Sequence, residues 1–459
     1  MNYLKQRING GDEGWKKRRH HMLILMALQQ FMNGVEYSIT YATMWLYIKS
    51  INGPHANDNT NRTFYAAIAT SKFISTILLS PMIGKIMDRY RCLTTLTLIA
   101  NVLALIGNLV YTFNWSIWWL LIGAFLTGIQ GTTRPIGYSE VARCYPKHEV
   151  QSKLALTAGA DGVGFLVGPL FNFFFVDFDI KIGKWHLNYF NAAVGFLSII
   201  YLALIIGDLF FLTDISKEKD YTEGINEISP FTDDEEIESG FSDEELLIVK
   251  QQQTGPIQWT AGNYIDAFLI FSMTFLSAFL PYMEDIWASI LMIDVQGLTI
   301  KEMNIFFLIC AISSIITMVI FMKYKFSQKT LYYLAVTWLI CLLIQQNTTA
   351  LLQLNSTSPY WLIMFMWMVV GIATTQIVSL EYYFLVDLLP KMVTSSKLSY
   401  WSSMRWSLYM VGCLLASLVG PYLFTYLQYE VLIVNGLTMI VLIGMVARRH
   451  TFMNPSIVL

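Results

Sequence analysis

A chain of 459 residues in which 55% are hydrophobic and only 14% charged, with a mean hydropathy of +0.49, is too apolar to be a water-soluble globule. A formal charge of −2 gives nucleic-acid binding no footing, and five cysteines without a CxxC pair or a histidine at ligand spacing exclude a disulfide framework and a metal site. The lipid bilayer is the partner this composition demands, no cofactor is implied, and the class that remains is an all-α membrane protein.

Residues 1–21 form a short N-terminus carrying Lys16, Lys17, Arg18 and Arg19. The first apolar run has full length and no small-residue cleavage site, so it reads as an uncleaved signal anchor. A hydrocarbon core about 30 Å thick requires roughly 20 helical residues. Twelve runs meet that length, approximately 22–48, 64–87, 93–113, 115–138, 153–175, 189–212, 262–290, 303–322, 330–351, 360–384, 399–425 and 430–447. The expected plan is therefore a six-helix bundle (22–212), an acidic linker (213–261), a second six-helix bundle (262–447) and a tail (448–459).

Charge placement orients these twelve transmembrane helices, because cytoplasmic loops hold the excess of Lys and Arg. With the N-terminus inside, Arg89, Arg91, Arg143, Lys147, Lys323, Lys325, Lys329, Lys391, Lys397, Arg448 and Arg449 join the N-terminal cluster on one side, against Lys49, Arg62, Lys181, Lys184 and Lys301 on the other. Both termini are then cytoplasmic. Four N-x-S/T sequons, headed by Asn61, Asn114, Asn347 and Asn355, fall at outer loops or outer helix ends and are glycosylation candidates.

An ionisable group inside a span costs about 2.5–3.5 kcal/mol at mid-membrane and is the place to look for a solute or ion path. Glu36, Arg134, Glu284 with Asp285, and Glu381 are such groups. Glu36 lies mid-helix, where snorkelling does not account for it. The stem of Arg134 could snorkel, Glu284 and Asp285 could mark a helix end, Glu381 lies near an end, and Lys72 is within snorkelling reach of the outer surface. Asp161 and Arg405 each fall eight residues past a Ser-Lys pair, as pseudo-symmetric packing or gating groups.

That pseudo-symmetry comes from a trace of internal repetition. "PKHEVQSKL" (146–154) matches "PKMVTSSKL" (390–398), and "GFLVGPLF" (164–171) is echoed by "ASLVGPYLF" (416–424), which places Gly420 and Pro421 beside Gly168 and Pro169.

The stretch "SPMIGKIMDRYR" (80–91) contains Gly84-x-x-x-Asp88-Arg89, which resembles the signature loop of the major facilitator superfamily, and Gly164-x-x-x-Gly168-Pro169 resembles that superfamily's helix-packing motif. The resemblance implies two bundles that rock about a central site, with Gly84, Asp88 and Arg89 as a latch and with Glu36, Arg134, Glu284, Asp285 and Glu381 on the cavity-lining helices. "Trp45-Leu-Tyr47", "Ser80-Pro81-x-x-Gly84", "Gly128-Ile129", "Gly164-Phe165-x-x-Gly168-Pro169" and "Met283-Glu284" are similar to the branch of the lysosomal ceroid-lipofuscinosis membrane proteins, major facilitator domain-containing type eight. Two departures stand out. Ala124 occupies the place, four residues before Gly128, where the superfamily often has Arg, and "MKYKFSQK" (322–329) has lost the Gly-Asp pattern, which leaves one latch visible.

The expected function is secondary-active transport of a small solute or ion by alternating access. The alternatives are channel-like anion (chloride) permeation and a transport-inactive receptor or scaffold. No Walker loop, nucleophile elbow or HExxH occurs, so an enzyme is not expected. In the linker, Asp243, Leu247 and Ile248 fit an acidic dileucine address read by sorting adaptors, with an amphipathic linker helix as the alternative. The branch resemblance implies a lysosomal or endosomal membrane, the plasma membrane being the alternative.

Overall fold

The structure is a computed structural model that describes residues 12–40, 43–53, 58–217, 261–290, 300–354, 362, 365, 384–423 and 427–455, apart from positions 146, 176, 184 and 325. The described chain is overwhelmingly helical. The helices are α1 (Asp12–Ser38), α2 (Met44–Asn52), α3 (Asp58–Tyr90), α4 (Leu93–Tyr111), α5 (Ile117–Gly128), α6 (Thr133–Cys144), α7 (Lys147–Phe171), α8 (Ala192–Phe211), α9 (Ala261–Ile290), α10 (Ile300–Lys323), α11 (Gln328–Leu354), α12 (384–392), α13 (Leu398–Leu423), α14 (Leu427–Ala447) and α15 (Arg449–Met453). By length and composition alone, Thr63–Tyr90, Leu93–Tyr111, Ala192–Lys217 and Gly262–Leu280 qualify as membrane spans among the described residues.

Helix α8 shows how such a sequence folds in lipid. Ile199, Leu202, Ile206 and Leu209 recur every three or four residues and are all exposed, while Leu197, Tyr201, Leu204 and Asp208 form the opposite, buried face. The apolar stripe points outward and the one carboxylate points inward, the reverse of a water-soluble helix.

Two expected runs are interrupted. The run 22–48 breaks after Ser38, whose Oγ bonds back to the Gly34 carbonyl at 3.0 Å in competition with the helix ladder. The Ile39 carbonyl so released is taken by Asn172 Nδ2 at 2.9 Å. The run 115–138 tightens into a 3₁₀ turn over Ile129–Thr132, directly before Pro135, whose ring excludes the carbonyl four residues back. Thr76 Oγ1 occupies the Gly128 carbonyl at 2.5 Å. A two-stranded antiparallel hairpin, β1 (Asp179–Ile182) and β2 (Trp185–Asn188), joins α7 to α8 where only a loop was expected.

Within the first half, α1 lies on α7 so closely that a Cβ on Gly164 would overlap the Phe31 carbonyl, and one on Gly34 would lie 2.5 Å from the Phe165 nitrogen. Gly164→Ala is therefore expected to destabilise the fold by about 1–3 kcal/mol through overpacking against backbone that cannot yield, read as a lower thermal midpoint in detergent. In the second half α9 packs on α13 and α11 on α14. The halves meet along α3 against α13 and α7 against α10, and these seams frame the candidate site.

Candidate functional site

Asp88, at the last turn of α3, reaches the N-terminus of α13. Its Oδ1 accepts from the Ser399 backbone N–H at 2.9 Å and its Oδ2 from the Tyr400 N–H at 2.8 Å, so one carboxylate satisfies two of the orphan donors of that helix and sits in the positive end of its dipole. The same carboxylate pairs with Arg143 of α6, 5% exposed at its side chain. The Arg143 guanidinium in turn donates to the Ser395 carbonyl at 2.9 and 3.1 Å and to Ser399 Oγ at 2.8 Å, and Ser139 Oγ lies 2.7 Å from Ser399 Oγ. Gly84 permits the approach, since a Cβ there would lie 2.7 Å from the Ser399 carbonyl. The guanidinium that closes on Asp88 belongs to Arg143, which in the sequence is only one of the positive charges that orient the helices. Arg89 is exposed, with its guanidinium over Tyr90.

The other seam is fastened by different chemistry. Gln151 Nε2 donates to the Phe326 carbonyl at 3.3 Å while its Oε1 accepts from the Phe326 N–H at 3.1 Å, and Ser152 Oγ donates to the Met322 carbonyl at 3.0 Å. Gln151 and Ser152 match Ser395 and Ser396 in the repeated "PKHEVQSKL" and "PKMVTSSKL", so the loop that has lost Gly and Asp keeps a contact at the equivalent place. An amide that both donates and accepts replaces a carboxylate. Gln151→Leu is expected to remove both bonds at a cost of about 1–3 kcal/mol, visible as faster amide exchange at Phe326 and a lower thermal midpoint.

Further into the molecule, Arg134 of α6 and Asp161 of α7 form a buried ion pair. The guanidinium also lies 4.0 Å from the ring centroid of Trp406 in α13 and 5.9 Å from that of Tyr37 in α1, a cation between aromatic faces of both halves. Arg134 Nε is buried without an acceptor. Tyr37 continues into a pocket whose walls include Thr40, Met44, Lys72 and Phe73, with Tyr282 of α9 from the second half. Phe73 stacks on Tyr37 and meets Tyr282 edge-on, with centroids 6.1 and 5.4 Å apart.

Lys72 does not snorkel outward. It is 6% exposed, donates to the Glu36 carbonyl oxygen at 2.9 Å and stands 3.6 Å from the Glu36 carboxylate, which also accepts from Asn108 Nδ2 at 2.8 Å. Glu36 is thus enclosed within the first half and faces the pocket only through Lys72. Asp161 meets Arg134, whereas its pseudo-symmetric counterpart Arg405 is buried on α13 beside Trp406. Asn61 is 2% exposed, with its Oδ1 accepting from Asn52 Nδ2 at 2.8 Å, so its amide is enclosed. Asn114 sits half-buried in the turn before α5, and Asn347 is exposed on α11. Glu284 and Asp285 lie in α9, Pro169 in α7 and Gly420 with Pro421 in α13, their side chains outside the described residues, as are Glu381, Asn355, Asp243, Leu247 and Ile248 altogether. Gly168 abuts Ser38 of α1.

Among the described residues, four buried carboxylates carry no signal in the sequence: Asp266 and Asp387 in the second half, paired with Arg448 and Lys391, and two in the first half. Glu140 of α6 accepts from the Ser216 N–H at 2.9 Å and the Ser216 hydroxyl at 2.7 Å, and with Asp214, which accepts from the Thr94 N–H at 2.8 Å, it ties residues 213–217 to the first half. Those five residues therefore pack with the bundle rather than with a solvated linker. Asp208 of α8 is the second.

The model of the Major Facilitator Superfamily matches residues 26–345. The chain resembles the human organic anion transporter MFSD10 (TETRAN) at 13% identity over 93% of this chain and 99% of that one, with a TM-score of 0.67. It also resembles the proton:xylose symporter XylE bound to 6-bromo-6-deoxy-D-glucose, at 10% identity over 95% and 96% of the two chains, with a TM-score of 0.68. In sequence it is 23% identical over 149 residues to a class H tetracycline resistance protein of Pasteurella multocida, a match spanning 32% of this chain and 36% of that relative. The chain belongs to the Major Facilitator Superfamily, as a multi-pass membrane protein of that fold. It is a transmembrane transporter of a solute and not an enzyme.

Proposed function

We propose that the protein is a secondary-active carrier for a small anionic solute, working by alternating access between two six-helix bundles. The observation that carries this reading is Arg134: a buried cation at the junction of the halves, clasped by Trp406 from one and Asp161 and Tyr37 from the other, with one N–H still lacking an acceptor. An anion entering between the halves exchanges with Asp161 for the guanidinium, and Lys72 at the pocket wall supplies a second positive group. The Asp88 and Gln151 seams close one end and must part for the solute to leave there. The Lys and Arg count assigns that end, and both termini, to the cytoplasm.

The test is counterflow of a panel of organic carboxylates and halides in proteoliposomes. Flux should saturate with concentration and fall about tenfold or more in Arg134→Gln, the equivalent of one charge-assisted hydrogen bond of about 1.5–3 kcal/mol. Currents that neither saturate nor need exchange would identify a pore instead. The similarity to the ceroid-lipofuscinosis branch and the Asp243, Leu247, Ile248 pattern support a lysosomal or endosomal membrane. Leu247→Ala with Ile248→Ala should then redistribute tagged protein to the cell surface; unchanged distribution refutes the sorting signal.

A further inference from the structure

The carboxyl group of Asp208 lies on the inward face of α8 and is 0% exposed. Every group bonded to it is a neutral amide: Gln29 Nε2 of α1 donates to Oδ2 at 3.0 Å and Asn101 Nδ2 of α4 donates to the same oxygen at 2.7 Å. No cation lies within ion-pair distance of it among the described residues. This distinguishes it from Glu36, Asp161, Asp88 and Asp266, each of which faces Lys or Arg.

Among the described residues, no charged group on the surrounding elements is paired with it. Helix α4 contains none, and α8 contains only Asp208 itself. On α1 the basic cluster lies nearer the N-terminus, where Arg19 stands over the Trp15 and Tyr145 rings and His21 packs on Phe211, while Glu36 is held by Lys72. The neighbouring 3₁₀ turn contributes Gln130, whose Nε2 reaches Gln29 Oε1 at 3.4 Å, and beyond it on α6 Arg134 is held by Asp161, Glu140 by Ser216 and Arg143 by Asp88.

Hydrogen-bond accounting points the same way. Asp208 Oδ1, Asn101 Oδ1 and Gln130 Oε1 are buried acceptors with no donor. Donors without a partner on the same helices, Gln30 Nε2 on α1 and Thr97 Oγ1 on α4 among them, are not bonded to Asp208, so its Oδ1 stays unserved, and an acid O–H there converts an acceptor into a donor. An ionised carboxylate without a countercharge is strongly disfavoured in such surroundings, and the least costly way to remove the charge is to bind a proton.

From this we infer that Asp208 is a proton-binding site: its carboxyl group takes up a proton inside the bundle, and the acid O–H donates to one of the unfilled acceptors between α1, α4 and α8. The inference is independent of the solute and of the direction of transport. It locates a proton on the α1 face that also bears Asn33 and Glu36, at intervals of four and three residues after Gln29, so that movement of α1 disturbs the site.

The test is infrared difference spectroscopy of the full chain in proteoliposomes, comparing the unaltered protein with Asp208→Asn at neutral pH in H2O and D2O. The expected result is loss, in the variant, of a protonated-carboxyl carbonyl band that shifts on deuteration. Loss of a carboxylate stretch in its place overturns the inference. So does a thermal midpoint raised by sodium chloride over choline chloride in the unaltered protein but not in the variant, which would mean a bound metal cation. If Asp208→Asn does not fold, Gln29→Leu keeps the acid and removes one donor, and the carbonyl band should move to higher wavenumber. An unmoved band overturns the assignment.

Discussion

Asp88→Ala is expected to open the seam between α3 and α13 and to reduce solute flux by about two orders of magnitude. The substitution leaves the Arg143 guanidinium buried without its carboxylate, a loss of about 3–5 kcal/mol for a broken buried pair, and removes a cap from α13 worth about 1 kcal/mol. Arg143 keeps its bonds to Ser395 and Ser399, which brings the outcome below that sum, to about 3 kcal/mol. A shift of about 3 kcal/mol between two conformations changes their ratio by roughly a hundredfold. Ser139→Cys in a cysteine-free background reports this directly, because Ser139 is 1% exposed and bonded to Ser399 across the seam. Its maleimide labelling should accelerate strongly with Asp88→Ala and less with Asp88→Asn, which retains an acceptor for one α13 N–H. Unaltered labelling would show that the seam does not depend on Asp88.

Breaking the Arg134–Asp161 pair should produce the other large effect. Either Arg134→Met or Asp161→Leu leaves one charge buried and unpaired and is expected to destabilise the protein by about 3–5 kcal/mol, whereas the double substitution should recover most of that loss. The coupling, read from denaturation of the four proteins, is expected near the upper end of the usual range, about 3 kcal/mol. Arg134→Lys should not restore function, since an ammonium cannot present the flat face that lies on Trp406. Additive losses in the double variant would mean that the two side chains act independently. Recovery of stability without recovery of flux would separate the structural role of the pair from its role toward solute.

Particular residues show how much of the site could be read in advance. The sequence marked Gly84 and Asp88 as parts of a latch without naming what the carboxylate meets; the structure supplies two partners, Arg143 and the start of α13. Arg134 and Asp161 were each singled out without a reason to pair them, because they lie 27 residues apart on different helices. Gln151 gave no signal, since an amide in a loop looks the same whether it meets water or a backbone. Asp208 and Glu140 were hidden near helix ends, where a carboxylate reads as surface charge. The interruption after Ser38 was equally silent, as a serine hydroxyl that bonds back to its own helix leaves no mark in hydropathy.

What the sequence determined by itself is the solvent and the broad plan. Apolar runs of about twenty residues cannot be hydrated and cannot leave backbone groups unpaired in lipid, so they become membrane helices whatever surrounds them. The tertiary structure alone decided which charge meets which. A helical period of 3.6 assigns each polar residue to a face, but the rotation of that helix and its neighbours determines whether the face meets Lys72, Trp406 or only the amides around Asp208.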